Sequence, residues 1–324
     1  MVVLPQEPPG AVTSRPPDDG GASRWSCALV NTMPDSAFTQ TERQFLGLLD
    51  AGSGPDPMDV RLFTLAGVPR GPEIGRRIAE SYAPLGDLFD RPPDILVVTG
   101  ANPVEERLED EPFWEELVGL LRWAADHVPT MLLSCLSAHA ALQVFDGLPR
   151  DPLASKCTGV FIQDTDQGHP LAAGLGATVV LPHSRLNAVP IDDLRAVGYE
   201  LAVFSEQIGW SLATRTTGRA DVVLMQAHPE YGPASLLREY HRDTRRFLTG
   251  QRHQLPVLPW HCTEGDDWDA LVALQRRMAD GARDPALLES FPFHEVEARA
   301  PWPWRDTARQ LYTNWLASVP HMGR

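Results

Sequence analysis

From Asp94 to Ser134 an apolar run, an amphipathic run and a second apolar run follow one another. "DILVVTG" is continuously apolar and closed by Gly100, the pattern of a strand buried on both faces. "EPFWEELVGLLRWAADH" places Phe113, Leu117, Leu120, Leu121 and Ala124 on one helical stripe, and "TMLLS" is apolar again. A strand, a helix and a strand in that order form a βαβ unit, and such units require a parallel sheet covered by helices. This unit restricts the fold more than any other stretch of the chain.

The same alternation fills the N-terminal half. "CALVN" reads as a strand and "DSAFTQTERQFLGLLDAG" as a helix, with Phe38, Phe45, Leu46 and Leu49 near helical spacing. Asp35 or Ser36 is placed to cap that helix and Gly52 to end it. "VRLFTLAG" is the next strand, "RRIAESY" lies in a polar helical segment, and "CLSAHAALQVF" is the helix after "TMLLS". Beyond Gly159 the strand candidates "TGVFI", "ATVVLP", "ELAVFSE", "GWSLATR" and "DVVLMQA" crowd together, which predicts partly antiparallel additions to the sheet. "ASLLREYHRDTRRFLTG", "DWDALVALQRRMADGA" and "TARQLYTNWLASV" are helical. The expected fold class is α/β, a mainly parallel sheet flanked by helices on both faces in one domain with terminal elaborations. Residues 1–24, rich in Pro, Gly and Asp, read as a disordered tail. Residues 25–250 read as the core and 251–324 as a helical elaboration packed on it.

Charge and composition narrow the function. At 43% hydrophobic and 22% charged, the 324-residue chain has an ordinary globular balance. Its net charge of -15 argues against nucleic acid or an anionic membrane as partner. No apolar run approaches a membrane span, and the first residues lack a signal-peptide core, so a cytoplasmic location is expected. Cys27, Cys135, Cys157 and Cys262 are far apart and without metal-site spacing, so neither a disulfide framework nor a metal site is expected.

Cys135 falls where a strand gives way to a helix. In open parallel sheets ligands bind at the carboxyl ends of strands, and a thiol at a helix N-terminus meets unpaired N–H groups that favour thiolate. The Leu136 N–H is then placed as half of an oxyanion hole. The plain alternative is a buried thiol sealing the seam between sheet and helix. "VVLMQAHPEYG" delivers His228 from a strand, with Glu230 two residues on. In an extended segment these share a face, so the carboxylate can orient the imidazole. Cys135, His228 and Glu230 thus have the types needed for nucleophile, base and orienter. His139 reads as a packing residue one turn below Cys135, and His261 has no further ligands.

At these residues the chain resembles the class I glutamine amidotransferase superfamily, and within it the homoserine O-succinyltransferase/O-acetyltransferase family. The similarity rests on "LVNTMPD", "VVTGANP", "EPFWEEL", "SCLSAHAAL", "KCTGVF", "PHSR", "HPEYGPASLLREYHRD" and "YTNWL". It implies ping-pong acyl transfer from acyl-CoA through Cys135 to L-homoserine in methionine biosynthesis, with no permanently bound cofactor and no metal, and a homodimer. It also implies that Lys156, Ser184 and Arg242 bind the amino acid, with His183 and Arg185 as buttresses. Acyl choice in the family depends on a residue after "TGA". Glu105 is the implied equivalent and Glu106 the alternative, and a carboxylate there favours acetyl over succinyl. "SCLSAHAAL" departs from the commoner pattern at Leu136 and His139, so L-serine stands as an alternative acceptor. A glutaminase would call for glycine where Leu133 and Ser137 stand. A binding protein that had lost catalysis would be expected to lack Cys135, His228 or Glu230.

Overall fold

A computed structural model describes residues 25–55 and 58–320; the expected N-terminal tail lies outside them. In chain order the elements are β1 (Trp25–Val30), α1 (Asp35–Ser53), β2 (Met58–Phe63), α2 (Pro72–Ser81), α3 (Gly86–Asp90), β3 (Ile95–Val98), α4 (Trp114–His127), β4 (Thr130–Ser134) and α5 (Leu136–Asp146). They continue as β5 (Asp151–Thr165), β6 (Thr178–Ala188), α6 (Ile191–Ala196), β7 (Glu200–Ser205), β8 (Gly209–Thr217), β9 (Ala220–Met225) and α7 (Ser235–Leu248). The last are α8 (Gly265–Ala279), α9 (Ala286–Ser290), α10 (Phe293–Arg299) and α11 (Arg305–Ala317). Among the described residues no helix is long and apolar enough to cross a membrane.

Two compact units divide the chain. Of the described residues, 25–55, 58–146, 214–224 and 309–320 make up the first, and 147–213 and 225–308 the second.

In the first unit the strands run β2-β1-β3-β4-β9, followed by the last residues of β8. β1 pairs in parallel with β2 and β3, and β3 with β4. The chain steps outward from β1 to β2 and then back across β1 to β3, which creates a switch point at the carboxyl ends of β1 and β3. β1, β3 and β4 are buried along their whole length, as their unbroken apolar runs require. The α4 stripe points into the core, with Phe113, Leu117, Leu120, Leu121 and Ala124 all buried.

α1 differs at both ends from its sequence reading. Neither Asp35 nor Ser36 caps it: Pro34 holds the cap position with no side-chain bond, and the Asp35 carboxylate instead accepts the Gly71 N–H at 2.7 Å. The helix runs past Gly52 to Ser53 and ends at Gly54, in the left-handed region at φ 62°. Gly52 serves packing, since a Cβ there would come within 3.0 Å of Tyr312 and Leu316.

In the second unit the order is β8-β7-β5-β6. β5 pairs antiparallel with both β6 and β7, the additions expected from the crowding of strands after Gly159. The segment before α8 runs alongside β5 and meets it in one parallel bridge at Gly159. Trp260 donates its N–H to Thr158 O at 3.0 Å and accepts from Val160 N at 2.8 Å.

Candidate active site

The first unit presents Cys135 at the joint of β4 and α5. Its φ is 49°, in the left-handed region, an uncommon conformation for a side chain other than glycine and one that concentrates at functional sites. The kink turns the chain sharply from strand to helix. Cys135 O then accepts from Ala138 N at 3.1 Å and His139 N at 3.2 Å, which begins α5. Because the helix starts at Leu136, the Leu136 N–H is one of the first-turn donors without an intrahelical acceptor. Cys135 is partly exposed, so the sealed-thiol alternative does not describe it.

Neighbouring strand ends hold this corner in place. Gly100 lies against it, where an added Cβ would come 3.3 Å from Cys135 Cβ. Ser137 Oγ donates to Thr99 O at 2.6 Å, and Thr32 Oγ1 donates to Gly100 O at 2.7 Å. The carboxyl ends of β1, β3 and β4 are thereby laced together. Glu105 and Glu106 are exposed in the loop that follows β3. His139 is buried within α5.

The second unit holds the imidazole. His228 Nδ1 lies 2.7 Å from Glu230 Oε1, and both side chains are buried. The two do not meet along an extended segment, as the sequence suggests. Tyr231 N donates to His228 O at 3.0 Å, so residues 228–231 form a tight turn with Pro229 at its favoured second position. Within that turn the carboxylate folds back onto the ring. With Nδ1–H given to Glu230, Nε2 is the nitrogen left to take up a proton. Tyr231 stacks on the imidazole at 4.4 Å between centroids. The backbone leading in is tied down as well: Gln226 N donates to Ser211 O at 2.8 Å and His228 N to Pro182 O at 2.8 Å.

Lys156, Ser184 and Arg242 also lie in the second unit, and they converge on two carboxylates absent from the sequence reading. Glu239 and Asp243, one turn apart on α7, share a face of that helix. Lys156 Nζ is 2.9 Å from Glu239 Oε2 and 3.7 Å from Asp243 Oδ2. Ser184 Oγ donates to Glu239 Oε2 at 2.5 Å and Tyr231 Oη to Glu239 Oε1 at 2.5 Å. Arg242 Nε lies 3.0 Å from Asp243 Oδ1. The structure surrounds Lys156 with acids and turns Arg242 onto Asp243. Burial alone would raise the Glu239 pKa, but the Lys156 ammonium and the Ser184 and Tyr231 hydroxyls outweigh it and hold the group at about 2. The signal for this pair was the i, i+4 spacing of two acids in "REYHRD".

His183, on β6, is completely buried between Ser211 Oγ, 3.0 Å from its Nε2, and Gln163. Burial, then Arg185 and His228, push its pKa well below the usual value, so it stays neutral. Arg185 donates to Asn187 O at 2.9 Å and to Ile208 O. Burial pushes Cys27 and Cys157 up, and Cys262 up to about 12. An open pocket of about 670 Å³ beside Asp166, His169, Arg195 and Glu200 contains none of the site residues read from the sequence. Among the described residues no cluster of three or more His, Cys, Asp or Glu could hold a metal ion.

Comparison with known proteins gives a consistent picture. The family profile described as homoserine O-succinyltransferase matches residues 21–321. The chain is 40% identical over 306 residues to a homoserine O-succinyltransferase of Rhodopseudomonas palustris, covering 94% of this chain and 91% of that one. It is 43% identical over 300 residues to one of Methylorubrum extorquens, covering 91% and 87%. Among solved structures, a glutamine amidotransferase from Methylobacillus flagellatus shares the fold at a TM-score of 0.50 and 15% identity, over 94% of this chain and 98% of that one.

Proposed function

We propose, since the chain belongs to the homoserine O-succinyltransferase family, that it moves an acyl group from acyl-CoA to the hydroxyl of L-homoserine through a thioester on Cys135. The Cys135 sulfur gives up its proton and attacks the thioester carbonyl, the C–S bond to coenzyme A breaks, and the released thiolate takes that proton. The homoserine hydroxyl then attacks the acyl-enzyme while His228 Nε2 takes its proton, with Glu230 fixing the ring; the acyl C–S bond breaks, and the departing Cys135 thiolate takes that proton back from His228. Thioester exchange is nearly balanced, and the second step is favoured by the greater stability of the oxygen ester. The Leu136 N–H supports the oxyanion in both steps. Lys156 and Arg242 hold the amino-acid carboxylate, Ser184 hydrogen-bonds the substrate, and Glu239, kept anionic, receives the α-ammonium.

The observation that most supports this reading is the left-handed kink of Cys135 at the head of α5. Such a turn lifts a nucleophile out of the sheet and aims first-turn amides at whatever it carries. The exposed carboxylate of Glu105 favours acetyl over succinyl as the acyl group, although the relatives named above are described as succinyltransferases. A place in methionine biosynthesis, a cytoplasmic location and a homodimer belong to the same proposal.

The test is a matrix of acetyl-CoA and succinyl-CoA against L-homoserine and L-serine, following coenzyme A release. Acetyl-CoA with L-homoserine is expected to give the highest kcat/KM. Intact-protein mass spectrometry with acyl-CoA alone should show one acyl group on Cys135, none on Cys135→Ala, and accumulation on His228→Ala. Cys135→Ala should lose about a thousandfold or more in turnover, as nucleophile removal does elsewhere. A label on Cys157 or Cys262, or no coenzyme A release from any pair, rejects the mechanism. Glu239→Gln should raise KM for the amino acid about tenfold to a hundredfold, the span of one charged hydrogen bond, while the acyl-enzyme still forms.

A further inference from the structure

The loop that carries Glu105 is held from behind by a carboxylate that no part of the proposed mechanism uses. Glu111, 5% exposed, sits at the entry to α4. Its Oε1 accepts the Val104 N–H at 2.6 Å and the Glu105 N–H at 2.7 Å. A 3-10 turn, Leu108–Asp110, brings the chain back to it. Leu108 is buried beneath that turn, Glu111 N donates to Leu108 O at 3.1 Å, and Trp114 N donates to Glu111 O at 2.9 Å. A second tie runs to α5, where Gln143 Nε2 meets Glu109 Oε1 at 2.5 Å. Two successive backbone N–H groups aimed at one oxygen form an anion nest, and charge-assisted bonds of this kind are the strong ones.

We propose that Glu111 is a positioning residue for donor selection: it fills, from within the chain, the amide pair that the free carboxylate of a dicarboxylic acyl group would otherwise take. In filling it, Glu111 also fixes the backbone of Glu105. The inference rests on the reading that Glu105 faces the acyl group of the donor. A dicarboxylic acyl chain arriving at this loop meets two carboxylates and no vacant amide; a short neutral acyl chain meets no such opposition.

The readout is the ratio of kcat/KM for acetyl-CoA to that for succinyl-CoA, which a merely structural role would leave unchanged. Glu105→Gly should move the ratio toward succinyl by tenfold or more. Glu111→Ala should move it the same way by about tenfold, the worth of roughly one charge-assisted bond. Glu111→Gln still offers an oxygen to both N–H groups and should keep the ratio within about threefold of the parent. If Glu111→Ala does not fold, judged by thermal unfolding, Glu111→Asp is read instead, because it retracts the oxygen by one methylene. A shift with Glu105→Gly but none with Glu111→Ala or Glu111→Asp overturns the role of Glu111 alone, as does an equal shift with Glu111→Ala and Glu111→Gln. No shift with Glu105→Gly removes the reading on which the inference stands, and the inference with it.

Discussion

Gly159 adopts φ 144°, and a Cβ built on it would come 2.5 Å from the carbonyl oxygen of Trp260. That clash is with backbone, so no rotamer change relieves it. Gly159→Ala should cost about 2 kcal/mol or more in unfolding free energy, measured by urea denaturation. Amide exchange at Val160, which donates to Trp260 O, should quicken ahead of the rest of the unit. An unchanged midpoint would mean that the segment around Trp260 shifts at no cost. Single residues are also where sequence reading has its limits. Cys135 was legible because a change in periodicity marked its position, and Glu230 because it follows His228 so closely. Glu239 and Asp243 were not, since among four arginines an acid on an amphipathic helix reads as a solvated charge. Only the return of β5 and β6 brings Lys156 and Ser184 to them.

At the scale of elements, the strands of the first unit announce themselves because burial on both faces leaves no room for polar residues. β5 does not: it runs for fifteen residues, from Asp151 to Thr165, through exposed polar positions and a register shift against β6, and only "TGVFI" within it carries a strand pattern. The short helices α3, α6, α9 and α10 span too few turns to show a period. In the first unit the C-terminal helix is fastened to the sheet by a polar relay. Trp315 Nε1 donates to Thr130 Oγ1 at 3.0 Å, and that hydroxyl donates onward to Asp221 O at 2.9 Å. Thr130→Val keeps the shape but strands one buried donor and one acceptor. It should cost about 2 kcal/mol, read from chemical denaturation, with the acyl-enzyme still forming. A cost near zero would show that water takes over both bonds.

For the whole molecule, two of the groups with shifted protonation, His183 and Glu239, each give stability a pH dependence of known sign. His183 is held neutral by burial. The unfolded chain takes up a proton near the ordinary histidine pKa while the folded chain does not, so stability falls as pH drops through about 6.5. Glu239 is depressed from 4.5 to about 2, so its contribution is complete above about 4.5 and disappears as pH falls toward 2. Acid should therefore weaken the protein in two stages. Urea midpoints between pH 8 and 3 should show both, with His183→Gln flattening the upper stage and Glu239→Gln the lower. A profile unaltered by either substitution would assign acid sensitivity to other groups.

The left-handed backbone of Cys135 carries a consequence for anyone who wants this protein sturdier. Glycine occupies that conformation without penalty, so Cys135→Gly should melt at a higher temperature than the working enzyme while transferring nothing. A screen that rewards heat resistance alone would drift toward such inert variants, and selection on turnover is what keeps the bent sulfur in place.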